Sequence, residues 1–260
     1  MPWPFCMKEE SVSGDFCIYG YDAESMVRKS ASQSRSARRK SWWRTALRWA
    51  VAIVACLWLL AALMLVAAKW INPPTTAVHI ERRVEAWVHH RPYRLRYEYE
   101  PLSRISPNLQ HAVIAAEDAR FYQHHGFDWQ AMESAAQHDM DGGRLRGGST
   151  LDQQLVKNLF FGTGRSIVRK VAEASLVPVA ELVLGKRRIL ELYLNEVEWG
   201  PGVYGAQAAC LYYDHTPARS VSREEAARLA AILPAPLKWK PQRMNWYSAI
   251  ILKRMSQMGW

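Results

Sequence analysis

The run WAVAIVACLWLLAALMLVAA, Trp49 to Ala68, constrains this chain more than any other feature. It holds no charge and no proline. As a helix rising 1.5 Å per residue it covers about 30 Å, the thickness of a bilayer's hydrocarbon core. A cleaved signal peptide has a shorter apolar region that ends in small residues. The stretch AALMLVAA does offer small residues. The length, and the Trp residues at both edges (Trp42, Trp43 and Trp49, then Trp70), favour an uncleaved span with interfacial anchors.

The formal charge of +10 is unevenly placed. Arg28, Lys29, Arg35, Arg38, Arg39, Lys40, Arg44 and Arg48 contribute +8 directly before the span, with no acid among them. Residues 1–25 sum to −4. A basic run can bind nucleic acid, but one that abuts an apolar span sets orientation instead, so no nucleic-acid partner is inferred. The expected topology is a cytoplasmic N-terminus with everything after Lys69 outside. Residues 1–41, polar and Ser-rich, read as a disordered cytoplasmic tail. Residues 42–70 form the anchor, 71–78 a Pro-marked linker, and 79–260 the exported domain.

That domain reads as mainly helical. Ser106 and Pro107 start a helix through NLQHAVIAAEDARFYQHH that Gly126 stops. Ser149 heads TLDQQLVKNLFF, with Asp152 as the acid of a capping box. Ser166 heads a helix that Pro178 should kink and Gly185 should end. Ser222 and Glu225 form another capping box, and a last helix runs from about Met244 to Met258. Arg94–Glu100 suggests a strand, while GPGVYG and PAPLKWKP read as loops. Cys210 stands alone in the exported part and reads as a small buried hydrophobe. The adjacent pairs His89–His90 and His124–His125 suit a metal poorly, because neighbours on a helix point apart. No metal ligand set is legible.

Two carboxylates carry the chemistry: Glu117 in EDARFYQHHG and Glu173 in RKVAE. Acids beside fixed cations suit reaction at a sugar carbon with an anionic leaving group. One acid takes a proton from the attacking hydroxyl, and the cations hold the departing charge. Taken alone, such acids are more often a solvated helix face.

EDARFYQHHG, GGSTLDQQLVKNLF, RKVAE and KRRILELYLN, in this order, resemble the four sequence blocks of the peptidoglycan glycosyltransferases (glycosyltransferase family 51). The likeness covers nearly all of residues 79–260 and continues through GPGVYGAQAA and LAAILPAPLKWKP. It implies a lysozyme-like, two-lobed helical domain with a head and a membrane-associated jaw. It also implies polymerisation of lipid II into β-1,4 glycan at the outer face of the cytoplasmic (inner) membrane, with the domain periplasmic. No Ser-x-x-Lys tetrad is present, so the resemblance is to the monofunctional type without transpeptidase activity.

The match puts Glu117 in the base role. It puts Glu173 at the leaving-group end, as an acid or, the favoured reading, as an organiser of cations. Lys157 and Arg165 match phosphate-contacting residues, with Arg169 and Lys170 close by in sequence. Ser149, Gln153 and Asn158 offer hydrogen bonds to substrate. Gln153 and its neighbour Gln154 cannot both face one cleft. Asp118 reads as a partner of the site or a plain helix carboxylate; Phe121, His124 and Gly126 read as framework. The resemblance admits a divalent metal (Mg or Mn) at the diphosphate. As partners it implies the growing glycan chain, membrane lipid, and cell-wall or division proteins.

One departure stands out. Asp152 replaces the Thr or Ser that the family carries, and a carboxylate facing a diphosphate would be unhelpful. It is read as a tolerated first-turn acid, the alternative being a weakened enzyme or a non-catalytic membrane scaffold. A lysozyme-like glycan-cleaving enzyme is the other rival, although it would not need the basic blocks.

Overall fold

The computed structural model describes residues 23–140, 148–164 and 166–260. The chain from Ala23 is helical: α1 runs Ala23–Ala68 and contains the apolar span. This corrects the expected disordered tail for residues 23–41; residues 1–22 lie outside the described part. Helix growth adds one hydrogen bond per residue once a nucleus exists, so the apolar segment can propagate helix into the Ser- and Arg-rich sequence before it. Side chains of the span are exposed nearly all round, as a lipid-facing helix requires.

The end of α1 belongs to the folded body. Leu65 and Ala68 join the core, and the Trp58 indole N–H donates to Ser175 Oγ at 3.0 Å. Arg188 donates from Nε to the Ala68 carbonyl (2.9 Å) and from a terminal nitrogen to Asn72 Oδ1 (2.8 Å). A short helix α2 (Ala77–Val88) follows, capped by Thr76.

Helix α3 (Pro107–Glu117) has the predicted cap: Ser106 Oγ accepts from Asn108 N–H with Pro107 in the first turn. It ends far earlier than expected. Asp118 leaves helical geometry, a 3-10 turn covers Phe121–Gln123, and Gly126 closes the segment at φ +82°. A Cβ on Gly126 would meet Val177 Cγ1 at 2.8 Å. Glu117 is therefore the last helical residue rather than one on a mid-helix face.

After α4 (Trp129–Met140), α5 (Leu151–Phe160) packs along α6 (Ile167–Glu196). Gly185 breaks α6 at φ 70°, ψ 162°, as expected, whereas Pro178 leaves the helical dihedrals intact. Helices α7 (Ala206–Tyr213), α8 (Arg223–Ala230) and α9 (Asn245–Gln257) complete the body, with α3 packed against α8 and α9. The Ser222–Glu225 capping box is present.

The expected strand shortens to β1 (Arg96–Tyr97). It pairs in parallel with β3 (Val203–Tyr204), which pairs antiparallel with β2 (Glu198–Gly200). Part of the supposed GPGVYG loop is thus sheet. Trp199, Tyr193, Tyr204 and Phe121 are the largest fully buried side chains, and Cys210 is buried among them as expected. The architecture is mainly helical, with one apolar N-terminal helix able to span a membrane.

The cap of α5 differs from expectation by one residue. Thr150, not Ser149, caps it; Gln153 N–H donates to Thr150 Oγ1, and the Gln153 side chain accepts from Thr150 N–H. Thr150 Oγ1 also donates to the Gly126 carbonyl at 2.7 Å. Thr150→Ala should therefore cost about 1–2 kcal/mol in denaturant unfolding of the detergent-solubilised protein. Exposed Ser149→Ala should change stability by less than about 0.5 kcal/mol.

Candidate active site

Capping at Thr150 sets the phase of α5 and decides which glutamine serves the site. Gln153 is 4% exposed and committed to the cap. This corrects its expected place against substrate. Gln154, one residue or about 100° further round the helix, reaches Glu117. Its amide donates to Glu117 Oε2 at 2.8 Å, and its carbonyl oxygen accepts from the buried Tyr193 hydroxyl at 3.0 Å. Glu117 keeps some solvent contact, but burial of its carboxyl raises the pKa above the ordinary carboxylate value. The Gln154 hydrogen bond and the Lys157 charge act in the opposite sense and do not cancel the rise.

Asp118, the C-cap of α3, is framework. Its Oδ2 accepts from Leu151 N–H at 3.0 Å, at the start of α5, and lies 3.0 Å from His124 Nε2. His124 Nδ1 faces Lys186 Nζ at 3.4 Å. That ammonium also lies 3.2 Å from both Asp152 oxygens, 3.0 Å from Glu181 and over the Phe121 ring at 4.6 Å. A network that gives Nδ1 a donor and Nε2 an acceptor assigns the ring proton to Nε2. Asp118, His124 and Asp152 bring one ligand atom each within 4.8 Å of the others, a spacing that suits a cation. Lys186 places its ammonium beside two of the three.

Asp152 is thus turned into the protein, fully buried, and paired with Lys186. Burial pushes its pKa up to about 8; a hydrogen bond shared with Glu181 adds to the rise and Lys186 opposes it. Burial also acts upward on Glu181, but its bonds to Asp152 and Lys186 hold it below the ordinary value. Both acids lie beside one ammonium.

The second glutamate lies at the other end of α5. Glu173 is 2% exposed, with Arg169 Nε at 3.0 Å and Lys170 Nζ at 3.5 Å. The Arg169 Nε contact is close but lacks hydrogen-bond alignment, and both of its atoms are buried. A further Arg169 nitrogen donates to the Gly162 carbonyl at 3.2 Å. Burial lowers the pKa of Lys157; Glu173 and Glu117 pull it up, while Arg169 and Lys170 push it down. Lys157 thus feels both glutamates and both neighbouring cations at once. Asn158 is buried on the same helix, and Ser149 is exposed just before it. Arg165 lies outside the described residues.

The arrangement is asymmetric: a carboxyl with raised pKa at one end of a helix, and a cluster of cations around a buried carboxylate at the other. It suits transfer from a phosphate-linked sugar to a hydroxyl. The family model described as Transglycosylase matches residues 85–257, and the chain belongs to that family. Among its relatives are proteins named biosynthetic peptidoglycan transglycosylase. One from Pseudomonas putida (strain F1) is 46% identical over 211 residues, covering 79% of this chain and 89% of the relative. One from Pseudomonas savastanoi pv. phaseolicola is 45% identical over 213 residues, covering 80% and 90%.

The sequence offered Gln154 beside Gln153 without deciding between them, and the α5 cap makes that choice. Neither Tyr193 nor Lys186 was given a role from sequence, because their partners lie 39 and 34 residues away.

A carboxyl whose pKa rises on folding stabilises the protein fully below its unfolded value and loses that contribution as pH climbs through the folded one. Asp152 should therefore lower stability as pH rises from 3.8 toward about 8. Asp152→Asn should flatten that slope in pH-dependent unfolding, and identical slopes in the two proteins would refute the assignment. Lys186→Met, which strands the buried acids, should cost about 3–5 kcal/mol.

Proposed function

We propose that the chain polymerises lipid II into β-1,4-linked glycan by inverting, in-line displacement, with Glu117 as the base. The observation that carries this reading is the Tyr193–Gln154–Glu117 chain, which aims a carboxyl of raised pKa from the end of α3. The acceptor's 4-hydroxyl loses its proton to Glu117 as its oxygen bonds to the anomeric carbon of the growing chain. The bond from that carbon to the diphosphate oxygen breaks, and undecaprenyl diphosphate leaves with the electron pair. Proton removal of this kind is worth roughly 10²–10⁴-fold.

Lys157, Arg169 and Lys170 supply countercharge to the diphosphate, with Arg169 able to direct N–H groups at phosphate oxygens. Arg165 belongs to the same role by its sequence match. Glu173 already faces two cations, which favours an organising role over proton donation. Ser149 and Asn158 contribute hydrogen bonds to sugar or phosphate. The donor set at this end is cationic, with one ion-paired carboxylate, and does not fit a divalent metal.

The scaffold alternative drew its weight from Asp152, which faces Lys186 in the core rather than the substrate's charge. The apolar helix anchors the protein in a membrane. The basic run before it supports a cytoplasmic N-terminus and a periplasmic domain at the inner membrane, where lipid II, membrane lipid and cell-wall or division proteins would be met.

Glu117→Gln should reduce polymerisation of labelled lipid II by at least about 10²-fold without altering thermal unfolding; a fully active variant removes the base assignment. Because the base must be deprotonated, the acid limb of kcat/KM should fall at a pH above 4.5, the ordinary value for this group. Lys157→Ala should weaken lipid II binding, and unchanged affinity would count against the diphosphate role.

A further inference from the structure

Helix α2 presents a surface that neither the fold nor the proposed reaction uses. Its inner side is tied down: Val78 and His79 are buried, Arg82 Nε donates to Glu198 at 3.1 Å, and Glu81 accepts from Thr163. Its outer side is apolar. Ile80, Val84, Trp87 and Val88 are 52%, 51%, 77% and 56% exposed, and they fall at helical spacing on one stripe. A helix held to the body by one face, with an aromatic and three β-branched side chains on the other, is built for a second apolar environment.

Beside the stripe lies an open cleft of about 420 Å³ whose walls include Arg83, Trp87, Arg91 and Tyr93. Among the described residues, neither arginine makes a salt bridge. Two guanidinium groups beside two aromatic rings suit a phosphate attached to an apolar body.

The bilayer is the occupant that chain continuity and charge both favour. Helix α1 ends at Ala68; Lys69 stands over the Trp70 ring, and Trp70 and Ile71 are 72% and 66% exposed, an interfacial anchor. Arg188 fastens Ala68 and Asn72 to the body, and only residues 69–76 separate the span from α2. Fully extended, that segment reaches at most about 28 Å. An apolar stripe flanked by arginines is the pattern of a helix lying in the headgroup region of an anionic membrane.

We propose that α2 is an in-plane anchor: Ile80, Val84, Trp87 and Val88 insert at the bilayer surface, and Arg83 and Arg91 hold the phosphate of an anionic phospholipid. The proposal rests on the reading of residues 49–68 as a membrane span and is independent of the glycosyl-transfer mechanism. It gives the exported domain a second attachment, which limits rotation about the span.

The test uses the full-length protein in phosphatidylcholine nanodiscs that carry a photoactivatable phosphatidylglycerol, with crosslinks mapped by mass spectrometry. Labelling is expected in the span and within residues 77–95. Arg83→Gln with Arg91→Gln should reduce labelling of 77–95 by about fivefold per arginine, as ~1 kcal/mol per basic residue implies, and leave the span unchanged. Polymerisation of lipid II in detergent should be unaffected by this pair; its loss would overturn the assignment and move the arginines into the reaction. Span labelling without labelling of 77–95 overturns the anchor. So does equal labelling of 77–95 by photoactivatable phosphatidylcholine, or its crosslinking to a second copy. Labelling of neither segment removes the membrane reading and the proposal with it.

Discussion

The carboxylate of Asp118 joins three pieces of chain that would otherwise be separate. It ends α3, receives the first N–H of α5 and faces the His124 ring. The free donors at a helix start need acceptors, and a buried carboxylate there gains from the helix dipole. Because Asp118 follows Glu117 directly, whatever holds Asp118 also holds the backbone of Glu117. The same contact sets where α5 begins, and so which of its side chains turn toward the cleft.

Lys186 extends this arrangement to the break in α6. Its ammonium lies among His124, Asp152 and Glu181, one residue after Gly185 leaves helical geometry. A buried pair of this kind is weak evidence of net stability, because desolvation offsets attraction. What it provides is placement: removing either partner leaves an uncompensated charge, so competing packings are costly. Asp152 is part of the scaffold that joins α5 to α6 beside His124 and Asp118.

The catalytic ends of the site differ in their physics. Glu117 has its pKa raised by burial, with one neutral hydrogen bond acting against the rise, and the net effect makes it a better proton acceptor near neutrality. Glu173 sits among cations that also surround half-buried Lys157, a setting suited to holding negative charge. The two carboxylates differ because their neighbours differ, and Lys157 on α5 feels the charge of both.

The sequence by itself determined the elements that depend on local rules: the span by its length without charge, the caps at Ser106 and Ser222, the break at Gly185, and the four ordered blocks with their two glutamates. Tertiary structure decided what long-range partners control. Helix α3 ends at Glu117 because Asp118 finds acceptor work at α5, and the α5 cap shifts to Thr150 because that hydroxyl also reaches the Gly126 carbonyl. The choice of Gln154 over Gln153, and the turn of Asp152 toward Lys186, follow from that one-residue phase. Periodicity and capping act over three or four residues, whereas these contacts join groups 24 to 39 residues apart, and no local pattern encodes them.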